Sequence, residues 1–105
     1  MSGRFQPQKD INRLKSNIQR LRHIIDLSER LYDINIDKQT KLDEAVAKGE
    51  ISDGEYLISS NEHLEKIREI EETIKQSTRN LKTALIAHKK AIQEKAWGGE
   101  DSDSD

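Results

Sequence analysis

The stretch Lys48-Gly49-Glu50-Ile51-Ser52-Asp53-Gly54-Glu55-Tyr56 constrains this chain more than any other. A long run of apolar periodicity ends at Gly49. Without a Cβ, a glycine can take the left-handed conformation that closes a helix C-terminus. Ser52 is a good N-cap, and Glu55 stands three residues on, the spacing of a capping box. Ile51 before the cap and Tyr56 four residues after it have the spacing of a hydrophobic staple. Asp53 and Glu55 put negative charge on the positive end of the new helix. A stop and a start this close leave a short link, so the two helices fold back antiparallel.

Between Gln8 and Lys48 there is no proline or glycine. Ile11, Leu14, Ile18, Leu21 and Ile25 step by three and four residues, the seam of a coiled coil. Tyr32, Leu42 and Val46 keep that register, while Ser28, Asn35 and Gln39 interrupt it. A second stripe, Ile24, Leu27, Leu31 and Ile34, widens the apolar face, as expected of a helix that meets more than one neighbour. The segment Tyr32–Asp37 has the weakest helix propensity in this run. In the second helix Leu57, Leu64, Ile67, Ile70, Ile74, Leu81, Leu85 and Ile92 mark the expected seam. Trp97-Gly98-Gly99 reads as a glycine stop. Glu100 to Asp105 has no apolar residue to bury and is expected to be disordered.

The expected fold is all-α: a long antiparallel helical hairpin that pairs into a four-helix coiled-coil bundle. Residues 1–7 form a flexible arm, 8–48 and 53–97 the helices, 49–52 the turn, and 98–105 the acidic tail. A composition with 36% charged and 32% hydrophobic residues fits that economy. Two helices bury a single seam, and self-association is the usual remedy for so thin a core.

The corner resembles one seen in small bacterial and phage helical hairpins, Gly-x-Ile-Ser/Thr-Asp/Glu-x-Glu-Tyr/Phe. The resemblance covers eight residues, implies the same capped turn, and assigns no family. Secreted hairpins with a Trp-x-Gly corner differ, since Trp97 stands far from this turn.

The net charge of −2 hides a strong pattern. Residues 1–30 carry seven basic and three acidic groups, and residues 75–95 six basic and one acidic. Residues 33–72 carry five basic and twelve acidic groups. Folded at Gly49, the chain is expected to be basic at its open end and acidic at its corner. An antiparallel pair would lay each basic end on the other's acidic end, so charge would set orientation.

Chemistry is hard to place on this chain. It has no cysteine, which excludes thiolate catalysis, disulfides and Cys-ligated zinc. His23, His63 and His88 complete no Glu-x-x-His motif. Glu62, Glu65, Glu69 and Glu72 read as a solvated acidic face. There is no phosphate loop and no calcium loop. No enzyme activity, cofactor, metal or small-molecule substrate is expected. No run approaches 18 apolar residues, and Met1–Pro7 lacks the apolar core of a signal peptide. The expected location is the cytoplasm, or that of a host cell.

The expected function is a non-enzymatic interaction or assembly protein, an adaptor or scaffold of cellular, phage or viral origin. Ile24, Leu27, Leu31, Ile34, Ile67, Ile70 and Ile74 would form its self-association surface in a dimer or tetramer. Trp97, Glu100 and Asp101 would anchor an unidentified protein partner. The alternative is a nucleic-acid accessory that uses the basic end through Arg13, Arg20, Arg22, Arg79, Lys82, Lys89 and Lys90, with Arg4 and Lys15 beside them. No aromatic residues interleave with these cations to stack bases, and the pI is about 5.9. A third possibility is an inhibitor whose acidic corner mimics DNA toward a host enzyme.

Overall fold

A computed structural model describes residues 7–104, with side chains from 8 to 97. The described chain is two α-helices joined by one turn, a helical hairpin: α1, Pro7–Ala47, and α2, Asp53–Ser104. Pro7 opens α1, where its missing N–H costs nothing. The rest of the expected arm, residues 1–6, lies outside the described residues. α1 runs through Tyr32–Asp37 without a break. The low propensity of that segment is outweighed by the packing of Tyr32 and Asn35 into the seam. The helical backbone of α2 passes the expected stop at Trp97 and reaches Ser104. A glycine weakens a helix by about 1 kcal/mol relative to alanine, without forbidding it. The side chains of residues 98–105, the expected disordered tail, lie outside the described residues.

The helices pack as two compact units. One comprises Ile24–Ser77 and contains the turn; it is called the corner unit below. The other comprises Met1–His23 and Thr78–Asp105, the terminal unit.

The corner forms as its residues dictate. Gly49 has φ +75°, the left-handed value that favours glycine. The Glu50 amide donates to the Ala45 carbonyl at 2.9 Å and the Gly49 amide to the Val46 carbonyl at 3.1 Å. This pair of reversed bonds closes the helix as a Schellman motif does, and it satisfies carbonyls that the end of α1 would leave open. On the other side, the Glu55 amide donates to Ser52 Oγ at 3.1 Å. The Ser52 amide donates back to Glu55 Oε1 at 3.3 Å, which closes the capping box. Ile51 and Tyr56, the expected staple, are both half-buried.

The seam of the corner unit holds the three-and-four register without a shift. α1 contributes Ile25, Ser28, Tyr32, Asn35, Gln39, Leu42 and Val46, all buried or half-buried. The polar residues that interrupt the sequence pattern therefore stand in the seam itself. Across from them α2 places Tyr56, Ser60, His63, Ile67, Ile70, Ile74 and Ser77. The two helices cross-link through Gln39, whose Nε2 donates to Ser60 Oγ at 2.9 Å. The Asn35 amide is used locally, donating to the Leu31 carbonyl one turn back at 2.8 Å.

In the terminal unit Ile18, Leu21 and Ala84 form the core, with Leu81 packed against it. Ala91 is buried further along α2, and Lys95 donates a hydrogen bond to Gln8 of α1.

The expected seam of α2 needs correction. Ile67, Ile70, Ile74 and Leu81 are on it, but Leu57, Leu64, Leu85 and Ile92 are 39–59% exposed. These four stand at one position past the seam residues Tyr56, His63, Ala84 and Ala91. The seam residues include the small side chains of Ser60, Ser77, Ala84 and Ala91, each under a tenth exposed. A seam one position on would bury Arg68, Glu71, Lys75, Lys82 and Lys89, so the small residues stand in the seam together with Ile67, Ile70, Ile74 and Leu81.

Candidate interaction surfaces

Each helix pair has two flanks, one on either side of its seam. In the corner unit the first flank is a groove of about 790 Å³. Leu31 and Ile34 of α1 and Ile70 of α2 supply its apolar surface, with Asn35 and His63 among them. Glu62, Glu65 and Glu69 line its α2 side, with Lys66 between and Lys38 on α1. Leu27, Leu31 and Ile34 are 43–51% exposed here. The second flank is a shallower groove between Glu29, Tyr32 and Asp33 of α1 and Glu71, Ile74 and Lys75 of α2. Leu57 and Leu64 share the row of Glu71 at seven-residue steps, and Ile36 shares that of Glu29. All three are 40–59% exposed.

In the terminal unit one flank is the groove lined by Asn17 and Arg20 of α1 and Asn80, Thr83 and Ala87 of α2. Asn17 and Ala87 each precede a seam residue. Lys15, Arg22, Leu85 and Ile92 each follow one, so they stand on the opposite flank. Leu85 is 39% and Ile92 46% exposed.

The expected self-association set is therefore divided. Leu27, Leu31 and Ile34 form an exposed stripe, and Ile24 is half-buried beside them. Ile67 is buried, and Ile70 and Ile74 are half-buried in the chain's own seam, so they do not face that stripe from outside. The sequence reading missed Ile36, Ile58 and Ile86 as exposed apolar residues, at 40%, 65% and 60%. Their positions off both seams were the available signal. Trp97 is 71% exposed. The side chains of Glu100 and Asp101 lie outside the described residues.

The candidate nucleic-acid residues do not form one surface. Arg13, Arg20 and Lys90 belong to the groove flank of the terminal unit, Arg22, Lys82 and Lys89 to the other, and Arg79 faces away from both. Arg13 also lies 3.6 Å from the Asp10 carboxylate, and Arg20 donates to Asn17 Oδ1 at 2.7 Å. All four members of the acidic row are exposed; Glu62, Glu65 and Glu69 line the first groove and Glu72 stands off it.

A polar network closes the corner unit near the turn. The Tyr56 hydroxyl donates to Asp43 Oδ1 at 2.6 Å, and Gln39 Nε2 donates to the same oxygen at 3.0 Å. The carboxylate that accepts the phenol proton pushes Tyr56 above the usual tyrosine range. Among the described residues, Gln39 Oε1 and His63 Nδ1 are buried without a hydrogen-bond partner. His23 is exposed and His88 half-buried on the terminal seam. Among the described residues no group of three His, Cys, Asp or Glu is placed to hold a metal ion. Among them, too, no helix is long and apolar enough to cross a membrane.

Comparison with protein-family models, curated proteins and solved structures finds no match to this chain.

Proposed function

We propose that this is a non-enzymatic assembly protein, an adaptor or scaffold that self-associates and holds a protein partner. One observation carries the reading. Many large apolar side chains stand outside while small and polar ones take several of the buried seam positions. Among the described residues eleven large hydrophobic side chains are exposed, whereas Ser28, Asn35, Ser60 and Ser77 are buried. Exposed large apolar residues that recur along one helix face, as Leu27, Leu31 and Ile34 do on α1, mark an interface. At about 25 cal/mol per Å² of buried apolar area, flanking leucines and isoleucines stabilise more by meeting a partner than by meeting water. Distinct apolar flanks on the corner unit give self-association and partner binding separate surfaces. Trp97 is available as an aromatic anchor.

The test is solution mass by light scattering on a sizing column, at low and high salt. A discrete dimer or tetramer is the expected result. A monomer at every concentration and salt would overturn self-association, and the exposed flanks would then belong to another protein. Addition of duplex DNA in the same experiment is expected to leave the mass unchanged, since the cations are split between flanks. A DNA-bound species would favour the nucleic-acid alternative. An acidic DNA mimic would instead compete with duplex DNA for a DNA-binding enzyme.

A further inference from the structure

We infer that the groove on the first flank of the corner unit receives a basic amphipathic helix of another protein. The inference rests on the partner-holding part of the reading above and adds the face and the partner's chemistry. Every residue it uses belongs to the corner unit.

The groove has three unlike parts. Its α1 wall is apolar: Leu27, Leu31 and Ile34 follow one another at four- and three-residue steps and are 43–51% exposed. Its floor is the seam, where Ser28 and Asn35 are buried and His63 and Ile70 half-buried. A short side chain such as that of Ser28 leaves a hole into which a large residue from outside can pack. Its α2 wall is charged. Glu62, Glu65 and Glu69 are all exposed, and none is in an ion pair among the described residues. Lys66 stands among them, and exposed Glu72 continues the row just outside the groove. This wall thus sets four carboxylates against one ammonium, while the α1 wall adds only Lys38 at its end.

The walls match in length. From Leu27 to Lys38 and from Glu62 to Thr73 each spans about 16 Å at 1.5 Å per residue. Gln39 bonds to Ser60 just beyond one end of both, so the walls run side by side. A helix of about three turns fills that length.

Such a helix turns one edge to Leu27, Leu31 and Ile34 and the other to the carboxylates. Its apolar stripe therefore carries Lys or Arg along one border. Other occupants fail on charge. A second corner unit brings fourteen acidic and only seven basic groups of its own. The segment 98–105 has four acidic groups and no basic one. A helix without cations would take water from the carboxylates and return nothing.

The test uses the full chain and two labelled synthetic helical peptides of about three heptads. Both carry leucine at the stripe positions; one has lysine along the borders and its twin glutamate. Fluorescence anisotropy reads binding at dilutions where each peptide alone is monomeric, circular dichroism checks folding, and light scattering gives the mass. The lysine peptide is expected to bind at least about tenfold more tightly than its twin at low salt. Leu31→Asn is expected to weaken that binding, whereas Leu57→Asn on the second flank leaves it unchanged. A chain carrying Glu62→Lys, Glu65→Lys and Glu69→Lys together is expected to prefer the glutamate peptide. Equal binding of the two peptides, or a preference that the triple substitution leaves in place, would overturn the inference. So would a Leu57→Asn effect as large as that of Leu31→Asn. Neither peptide bound by a chain that self-associates would overturn the inference and leave self-association standing; neither bound by a monomer would overturn both. A mass that falls on Leu31→Asn would show a second copy in the groove and overturn the inference.

Discussion

Gly49 and Ser52 decide where the chain reverses. Gly49 has open space where a Cβ would stand, so alanine there meets no clash. Its penalty is the positive φ alone, about 1 kcal/mol. Gly49→Ala is expected to lower unfolding free energy by that amount, read from the urea midpoint. Ser52→Ala removes the cap and is expected to cost about 1 kcal/mol in the same assay. Tyr56 gives a pH signature. Its phenol is raised because Asp43 accepts its proton. The folded state thus favours the neutral form. This stabilisation is fully present below the ordinary tyrosine pKa near 10 and is lost as pH rises through the higher folded value. Alkaline titration of tyrosinate absorbance should show a late component that Asp43→Asn removes. A titration unchanged by that substitution would mean that the Tyr56–Asp43 bond does not form in solution.

At the scale of the helix, the polar seam is the weak element. The described ion pairs of Arg30 with Asp26 and Lys41 with Asp37 are exposed, each joining residues one turn apart on α1. Such pairs add roughly 0.3–0.5 kcal/mol each and do not compensate for the small and polar residues that interrupt the seam. Buried Ser28 and Ser77 could be alanine without loss of packing volume. Alanine exceeds serine in helix propensity by about 0.5 kcal/mol. Ser28→Ala and Ser77→Ala are each expected to stabilise by that amount, seen as a higher melting temperature. Ser60→Ala should not gain likewise, because it removes the acceptor of the Gln39 amide, which joins the helices. If all three alanines stabilise equally, the Gln39–Ser60 bond contributes nothing.

At the scale of the molecule, charge and exposed apolar surface point the same way. The corner unit, residues 24–77, carries fourteen acidic and seven basic groups. The described side chains of the terminal unit, 8–23 and 78–97, carry ten basic and two acidic. An assembly that joins unlike units gains from both terms. Its melting temperature is expected to rise with protein concentration, because association stabilises the folded chain by mass action. Added salt is expected to lower that concentration dependence as it screens the charges. A melting temperature indifferent to concentration would mean that folding and association are uncoupled.

The sequence by itself determined the turn, the two helices and the α1 seam. These follow from local rules: glycine conformation, cap hydrogen bonds and the three-and-four spacing of large apolar residues. It also showed the charge division, which needs only counting. Tertiary structure decided the phase of α2. Read by hydrophobicity, Leu57, Leu64, Leu85 and Ile92 belong inside, yet Ser60, Ser77, Ala84 and Ala91 took the buried positions. A seam is chosen by the charges it keeps in water as well as by the apolar area it removes from water. Which small or polar side chains fit the gap depends on the residues facing them across it, a pairing that no single helix reveals. The same reason kept the two flanks hidden in the sequence: which apolar residues remain outside is known only once the seam has been filled.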